Sequence, residues 1–315
     1  MKMTFDHPET DEIPIFLRRE AIASGMSDAA LKRAVRSGEL VKVRHGAYVA
    51  GELWATADQR ERHVVTARAI HRTHGERIAF SHHTAAVLHG LDLWKVGLGE
   101  VHLTRADGKH GRHAGDLIHH QGALPASEIQ VIRGLPVVGP ARAAVESASL
   151  LSVEQGLVTV DSVLRLGLCG IEEVEERRAA TEHWPDSLGL QVVVSLADAR
   201  HASVGEDRTA HLLWRANLPR PDPQYEVWEG GVLLGIVDFA WPELGVILEF
   251  DGKVKYEKHL RPGESAADAV VREKKREDRI REATGWIVIR VTWADLADPA
   301  QLVARIRRAM RRAAA

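Results

Sequence analysis

The order of elements legible between residues 206 and 292 is the feature that most restricts what this chain can become. Helical spacing over Glu206–Ala216 is followed by three strand-like stretches, Gln224–Trp228, Val232–Ala240 and Gly245–Asp251. A long charged helix over about Ser265–Ala283 comes next, then a strongly apolar strand, Trp286–Thr292. A crossover of that length makes the last strand parallel to an earlier one, with a right-handed connection. A final helix starts at Asp298-Pro299, an N-cap and first-turn pair, and carries Leu302, Val303 and Ile306 inward. The reading is α/β (α+β), with an αβββαβ domain over 201–315.

Acidic residues fall at one end of these strands. Asp238 lies near the end of the second, the Trp241–Gly245 turn reverses the chain, and Glu249 and Asp251 stand two apart on one face of the third. Three carboxylates among Val237, Phe239, Ile247, Leu248 and Phe250 are costly unless a divalent cation or a cationic side chain neutralises them. Oxygen ligands of this kind suit Mg2+ or Mn2+, and such a metal holds a phosphate and activates water. The competing reading has the acids facing solvent or paired with Lys253, Lys255 and Arg276. Patterning leaves both open. Glu206 has two readings as well, a metal-directed acid or part of the Ser203–Glu206 capping box, and the cap is favoured.

A length of 315 residues implies two or three domains, and composition shifts near 51 and 200 divide the chain into 1–51, 52–200 and 201–315. The first segment reads as a winged helix-turn-helix. Ile13–Ser24 is expected to be one helix, Gly25 a break, and Ser27 the cap of a second helix that Gly38 stops. Leu31 and Val35 face inward there, leaving Lys32, Arg33 and Arg36 outward. Leu40–Val43 and Ala47–Ala50 form the wing, with Arg44 near its tip. Three cations on one helix suit a major groove, and a wing arginine suits a minor groove or a phosphate. A solvated basic helix beside a structural hairpin is the plainer alternative.

The middle segment is mixed α/β, with helices expected at Trp54–His74, Ser81–His89, Pro140–Leu151 and Ser152–Leu166. Strands are expected at Glu100–Thr104, Leu117–Gln121 and around Val131 and Val137. Its histidines (His71 and His74, His82 and His83, His89, His119 and His120) show no i,i+4 zinc-helix spacing, so packing is favoured over metal. Cys169, the single cysteine, excludes a disulfide framework and reads as a small buried apolar group. The 42 basic and 44 acidic residues exclude a uniformly basic coat but not a local one. The expectation is a cytoplasmic, soluble chain, without signal peptide or membrane span.

Asp238–Pro242, Leu248–Gly252, Glu273–Asp278 and Gly285-Trp286 resemble the nuclease-fold domain related to very-short-patch-repair endonucleases, of the PD-(D/E)xK superfamily. The likeness covers about 203–310 and implies a restriction-endonuclease-like fold. Gly38-Glu39-Leu40 through Gly46-Ala47-Tyr48, and Ser81-His82 through His89-Gly90, resemble AbiEi-type antitoxins of type IV toxin–antitoxin systems, over about 12–200. The first resemblance implies Asp238 and Glu249 as acids holding Mg2+ or Mn2+, with the Phe250 carbonyl as a backbone ligand. The sequence departs from that pattern at Asp251, where the superfamily has lysine. Lys253 is the nearest substitute, followed by Lys255, Lys275 and Arg276. The catalytic set so implied is Asp238, Glu249, Asp251 and Lys253. The antitoxin resemblance implies autoregulation and a cognate toxin as partner, while the winged-helix pattern itself suggests DNA binding through Lys32, Arg33, Arg36 and Arg44 and a homodimer spanning two half-sites.

Three functions follow: a DNA-binding regulator of antitoxin type, a metal-dependent DNA endonuclease targeted by the winged helix, and a protein–protein module that neutralises a toxin. The regulator is the expected function and the endonuclease its alternative. The terminal Arg305, Arg307, Arg308, Arg311 and Arg312 suit phosphate contact or a solubilising helix end.

Overall fold

The computed structural model describes residues 13–74, 78–105, 111–184, 187–252 and 265–313. Contacts divide the chain into two compact units, 1–150 and 151–315.

In the first unit the expected helix over Ile13–Ser24 is instead an extended entry, β1 (Phe16–Leu17), leading into a short α1 (Arg18–Ala23). Ile15, Phe16 and Leu17 are all buried in succession, which a strand achieves by sending alternate side chains to opposite faces and a one-faced helix does not. Phe16 pairs with Tyr48 and Leu17 with Ala47. The helix α2 (Asp28–Ser37) is bounded as its sequence predicts: the Ser27 hydroxyl accepts the Ala30 N–H at 3.2 Å, and Gly38 ends it at φ +80°. Strands β2 (Leu40–Arg44) and β3 (Ala47–Ala50) complete a three-stranded sheet in the order β1-β3-β2.

That sheet is apolar on both faces. Phe16, Leu40 and Tyr48 meet Ala21, Leu31 and Ala34 of the two helices. Ile15, Leu17, Ala47 and Val49 meet Val65 and Ala69, which belong to α4 (Gln59–His74). The expected single helix from Trp54 is split into α3 (Gly51–Thr56) and α4. The split is made by a capping box, in which Asp58 accepts the Glu61 N–H at 2.8 Å and Glu61 accepts the Asp58 N–H at 2.6 Å. Gly51 sits where α3 leaves the wing, and a Cβ there would lie 1.9 Å from the Gly38 carbonyl oxygen.

The rest of this unit is a six-stranded mixed sheet in the order β6-β7-β5-β4-β9-β8. Its strands are β4 (Ile78–Phe80), β5 (Val101–Arg105), β6 (Arg112–Ala114), β7 (Leu117–His120), β8 (Ile129–Ile132) and β9 (Leu135–Val138). Helices α5 (His82–Leu88) and α6 (Pro140–Ala148) pack on each other beside it. Phe80, Leu103, Leu117 and Val137 share a core with Ala67 and Ile70 of α4.

The second unit opens with α7 (Val153–Arg165), α8 (Ile171–Ala180) and α9 (Ser187–Leu196). The sequence places these helices with the middle segment, but α7 packs on α10 (Val204–Arg215). Buried polar bonds join them: Asp161 accepts the Asp198 N–H at 2.9 Å and meets the His201 ring at 2.7 Å, and Arg165 donates to the His201 carbonyl at 2.9 Å and Asp207 at 3.2 Å.

The predicted αβββαβ order then appears. Strands β10 (Asp222–Glu229), β11 (Val232–Trp241) and β12 (Val246–Phe250) form an antiparallel meander. The crossover helix α11 (Ala266–Thr284) returns β13 (Ile287–Val291) parallel to β12. Phe239, Leu248 and Phe250 pack with Leu213, Leu302 and Ile306 on one face. Val237, Ile247 and Ile280 pack on the other. Helices α12 (Trp293–Ala297) and α13 (Pro299–Ala313) close the chain. Phe250 lies directly against Gly205 of α10, where a Cβ would come within 2.1 Å of its ring.

Candidate nucleic-acid interface and the acidic strand ends

The α2 helix shows a clean division of labour. Leu31 and Ala34 are buried against the sheet, while Lys32, Arg33 and Arg36 are exposed. None of these three cations enters an ion pair among the described residues, so their charge is available to a polyanion. Asp28, on the first turn, is held by Arg18, whose Nε donates to it at 2.7 Å. That guanidinium pulls the Asp28 carboxyl below its usual range and links α1 to α2.

Arg44 has a different place from its three companions. Its guanidinium donates to Asp116 at 2.9 Å, in the turn between β6 and β7. The wing arginine is thus engaged with the six-stranded sheet, and Gly46 at φ +75° makes the tight wing turn. The structure brings Lys32, Arg33 and Arg36 together on one helix face and sets Arg44 apart.

At the strand ends, Asp238 of β11 and Glu249 of β12 lie on neighbouring strands, and Asp238 accepts the Phe250 N–H at 2.7 Å. Glu249 is largely buried, which pushes its carboxyl up, and Arg276 opposes that shift. Arg276 reaches over from α11 to donate to Glu249 at 2.6 Å, to Glu273 at 2.6 Å and to the Ile236 carbonyl at 3.0 Å. Gly235 provides the room, because a Cβ there would meet the Arg276 guanidinium at 2.9 Å. Asp251, one residue past β12, pairs with Arg290 at 3.5 Å, and Arg290 in turn binds Glu277. Glu277 also pairs with Arg281 at 2.6 Å, the i,i+4 contact expected from the sequence.

Of the two readings of these acids, the cationic one matches the contacts seen. Arg276 supplies the positive charge beside Glu249, and the Phe250 N–H uses an oxygen of Asp238. An Mg2+ or Mn2+ ion bound to Glu249 would have to displace the Arg276 guanidinium. Lys253 and Lys255 lie outside the described residues. Glu206 is the cap: it exchanges bonds with Ser203, accepts the Ala202 N–H at 2.8 Å and is met by Gln224 at 2.9 Å.

Two groupings among the described residues escaped sequence reasoning, one of them Asp161, His201 and Asp207 in the second unit. His82, His102 and His120 come together in the first unit, with ring nitrogens within 4.8 Å of one another. They are some twenty residues apart in the chain, so no local spacing announces them. Cys169 is half-buried, and burial pushes its thiol up to about 11, as expected of an inert packing cysteine.

Comparison with known proteins bears on these sites. Residues 10–51 match the family model described as "Transcriptional regulator, AbiEi antitoxin". Residues 78–184 match that of the "AbiEi antitoxin C-terminal domain". Neither match reaches the αβββαβ region, and nothing in the comparisons supports a very-short-patch-repair-like or PD-(D/E)xK assignment there. Two Mycobacterium tuberculosis proteins, "Uncharacterized protein Rv2248" of strain H37Rv and "Uncharacterized protein MT2308" of strain CDC 1551, are each 27% identical over 295 residues. The alignment spans 91% of this chain and 98% of each relative. No helix among the described residues is long and apolar enough to cross a membrane.

Proposed function

We propose that the chain is a DNA-binding transcriptional regulator of antitoxin type, which represses its own promoter and captures a cognate toxin protein. The observation that carries this reading is the exposed, unpaired triad Lys32, Arg33 and Arg36 on α2 of a winged helix. Helix-turn-helix domains lay such a helix in the major groove and anchor it through phosphates. The match of residues 10–51 to a transcriptional-regulator model supports the same reading. A homodimer spanning two half-sites suits a helix with so few cations.

The αβββαβ region adds nucleic-acid affinity rather than catalysis. Arg308, Arg311 and Arg312 are exposed along α13 and suit phosphate contact, whereas Arg305 is spent on Asp295 at 2.9 Å. The endonuclease alternative draws on Asp238, Glu249, Asp251 and Lys253, and the Arg276 contact with Glu249 weighs against it.

The test is a reporter fused to the DNA upstream of the coding sequence. Repression by the chain is expected, and its loss in the Lys32→Ala/Arg33→Ala/Arg36→Ala variant, with helical content unchanged by circular dichroism. Full repression by that variant would overturn the reading.

A further inference from the structure

We propose that the cavity between α9, α10 and β11 of the second unit is a binding site for a small aromatic carboxylic acid that carries a hydroxyl group. The cavity measures about 230 Å3. Its walls are apolar: Leu196 ends α9, Leu213 projects from α10, Leu218, Pro221 and Pro223 line the stretch leading into β10, and Phe239 belongs to β11. Trp214, one residue beyond Leu213, adds aromatic surface at the rim. An apolar cavity of about 150 Å3 takes up a benzene ring, so this one has room for a ring with one or two small substituents.

Two polar side chains are left to a ligand, one deep and one at the mouth. His201 is the deep one, its side chain 5% exposed. Its Nδ1 lies 2.7 Å from Asp161, its main-chain N–H donates to the Asp198 carbonyl at 3.1 Å, and its carbonyl accepts from Arg165 at 2.9 Å. Nε2 has no hydrogen-bond partner among the described residues, yet it is not one of the atoms sealed from solvent. In a buried ring that lines the cavity, that nitrogen opens onto the cavity. With Asp161 accepting the Nδ1 proton, Nε2 is an acceptor, and in the other tautomer it is a donor. A hydroxyl answers either, because it both donates and accepts.

Arg220 is at the mouth, its side chain 62% exposed. It reaches the Ser195 carbonyl at 3.4 Å and stands 3.8 Å from Asp198, which Arg200 binds more closely at 2.8 Å. A guanidinium held this loosely keeps donors for a carboxylate. The Ser195 hydroxyl is spent on the Val192 carbonyl at 2.8 Å. The lining therefore selects an apolar ring with a hydroxyl at its buried end and a carboxylate at its open end. The site is also set before a ligand arrives. Pro219, Pro221 and Pro223 fix φ at alternate positions of one wall, and the Trp241 indole N–H anchors that wall through the Pro219 carbonyl at 2.8 Å. A preformed pocket loses little freedom on binding, which is what a small ligand requires. No residue of α2 or α13 lines it, so the inference stands apart from the regulator reading.

The experiment titrates the full chain with the three hydroxybenzoate isomers by calorimetry. One site is expected, with a dissociation constant below about 1 mM for the best isomer, ordinary for a ligand of about ten non-hydrogen atoms. Benzoate, which lacks the hydroxyl, and phenol, which lacks the carboxylate, should each bind about 5- to 10-fold more weakly. Arg220→Ala should erase the advantage of hydroxybenzoate over phenol and leave phenol binding unchanged. Ala210→Leu, which fills the cavity from α10, should abolish binding of every probe. Neither variant removes a buried polar contact, so both should keep the native circular dichroism, and the ligand series on the unmodified chain decides the question if Ala210→Leu does not fold. No saturable binding of any isomer, benzoate or phenol binding as tightly as the best isomer, or unchanged binding by a folded Ala210→Leu variant would each overturn the proposal.

Discussion

If α2 is the DNA-contacting helix, its charge should be countable in solution. Three unpaired cations project from it, and each phosphate neutralised contributes a slope of roughly −0.9 to the dependence of log Kobs on log salt for duplex DNA. Lys32→Ala/Arg33→Ala/Arg36→Ala should therefore flatten that slope by about 2.7. Over a fourfold rise, from about 50 to 200 mM salt, the native chain should lose roughly 40-fold more affinity than the variant, from the same counterion-release relation. Arg44→Ala is the internal control. Its guanidinium is engaged by Asp116, so its removal should leave the slope unchanged and cost about 0–1 kcal/mol of stability, as for other partly exposed pairs. Fluorescence anisotropy on a labelled upstream duplex, repeated across the salt range, reads both quantities. A triple variant whose slope moves by less than about one unit, or an Arg44→Ala slope change as large as one full phosphate contact, would refute the assignment of the interface.

Gly205→Ala forces a methyl into the Phe250 ring, and overpacking of this kind should destabilise the second unit by about 1–3 kcal/mol or more, read by urea denaturation. Arg276→Ala strands the largely buried Glu249 carboxylate, for a loss of about 3 kcal/mol, and adding Glu249→Gln should recover part of it by removing the charge. A double variant no more stable than Arg276→Ala would argue against that buried pair. Burial lowers the imidazole pKa values of His63 and His89 below the ordinary 6.5. The unfolded chain therefore binds more protons, and their contribution to stability, complete above pH 6.5, should fall away as pH drops towards the folded-state values. Thermal melts between pH 7.5 and 5 check the sign, and His89→Gln should shallow the decline.

Much of the architecture is legible locally. Ser27 and Gly38 delimit α2 by their own side-chain and backbone preferences, and the αβββαβ order follows from alternating strands and one long charged crossover. Local signals fail where partners are distant. Ile15–Leu17 has helical spacing with its neighbours, yet β3 claims it as a strand. The break before α4 was readable, since Asp58 and Glu61 stand at capping-box spacing, but the apolar periodicity across it concealed it. At the acidic strand ends, the sequence names Arg276 among the cations that could reach in, and tertiary placement is what sets it against Glu249. The triad of His82, His102 and His120 depends on parallel pairing of β5 with β7, which no spacing in the chain encodes.

The two-sided burial of α4 bears on how this protein can be dissected. Val65 and Ala69 complete the wing sheet, while Ala67 and Ile70, a few residues along the same helix, complete the six-stranded sheet. A fragment ending at residue 51 would keep every residue aligned with the regulator family model and still leave one face of its sheet bare to water. Matching a family model over that span does not make it a unit of structure. Biochemistry on the DNA-binding end should carry the chain through His74 at the least.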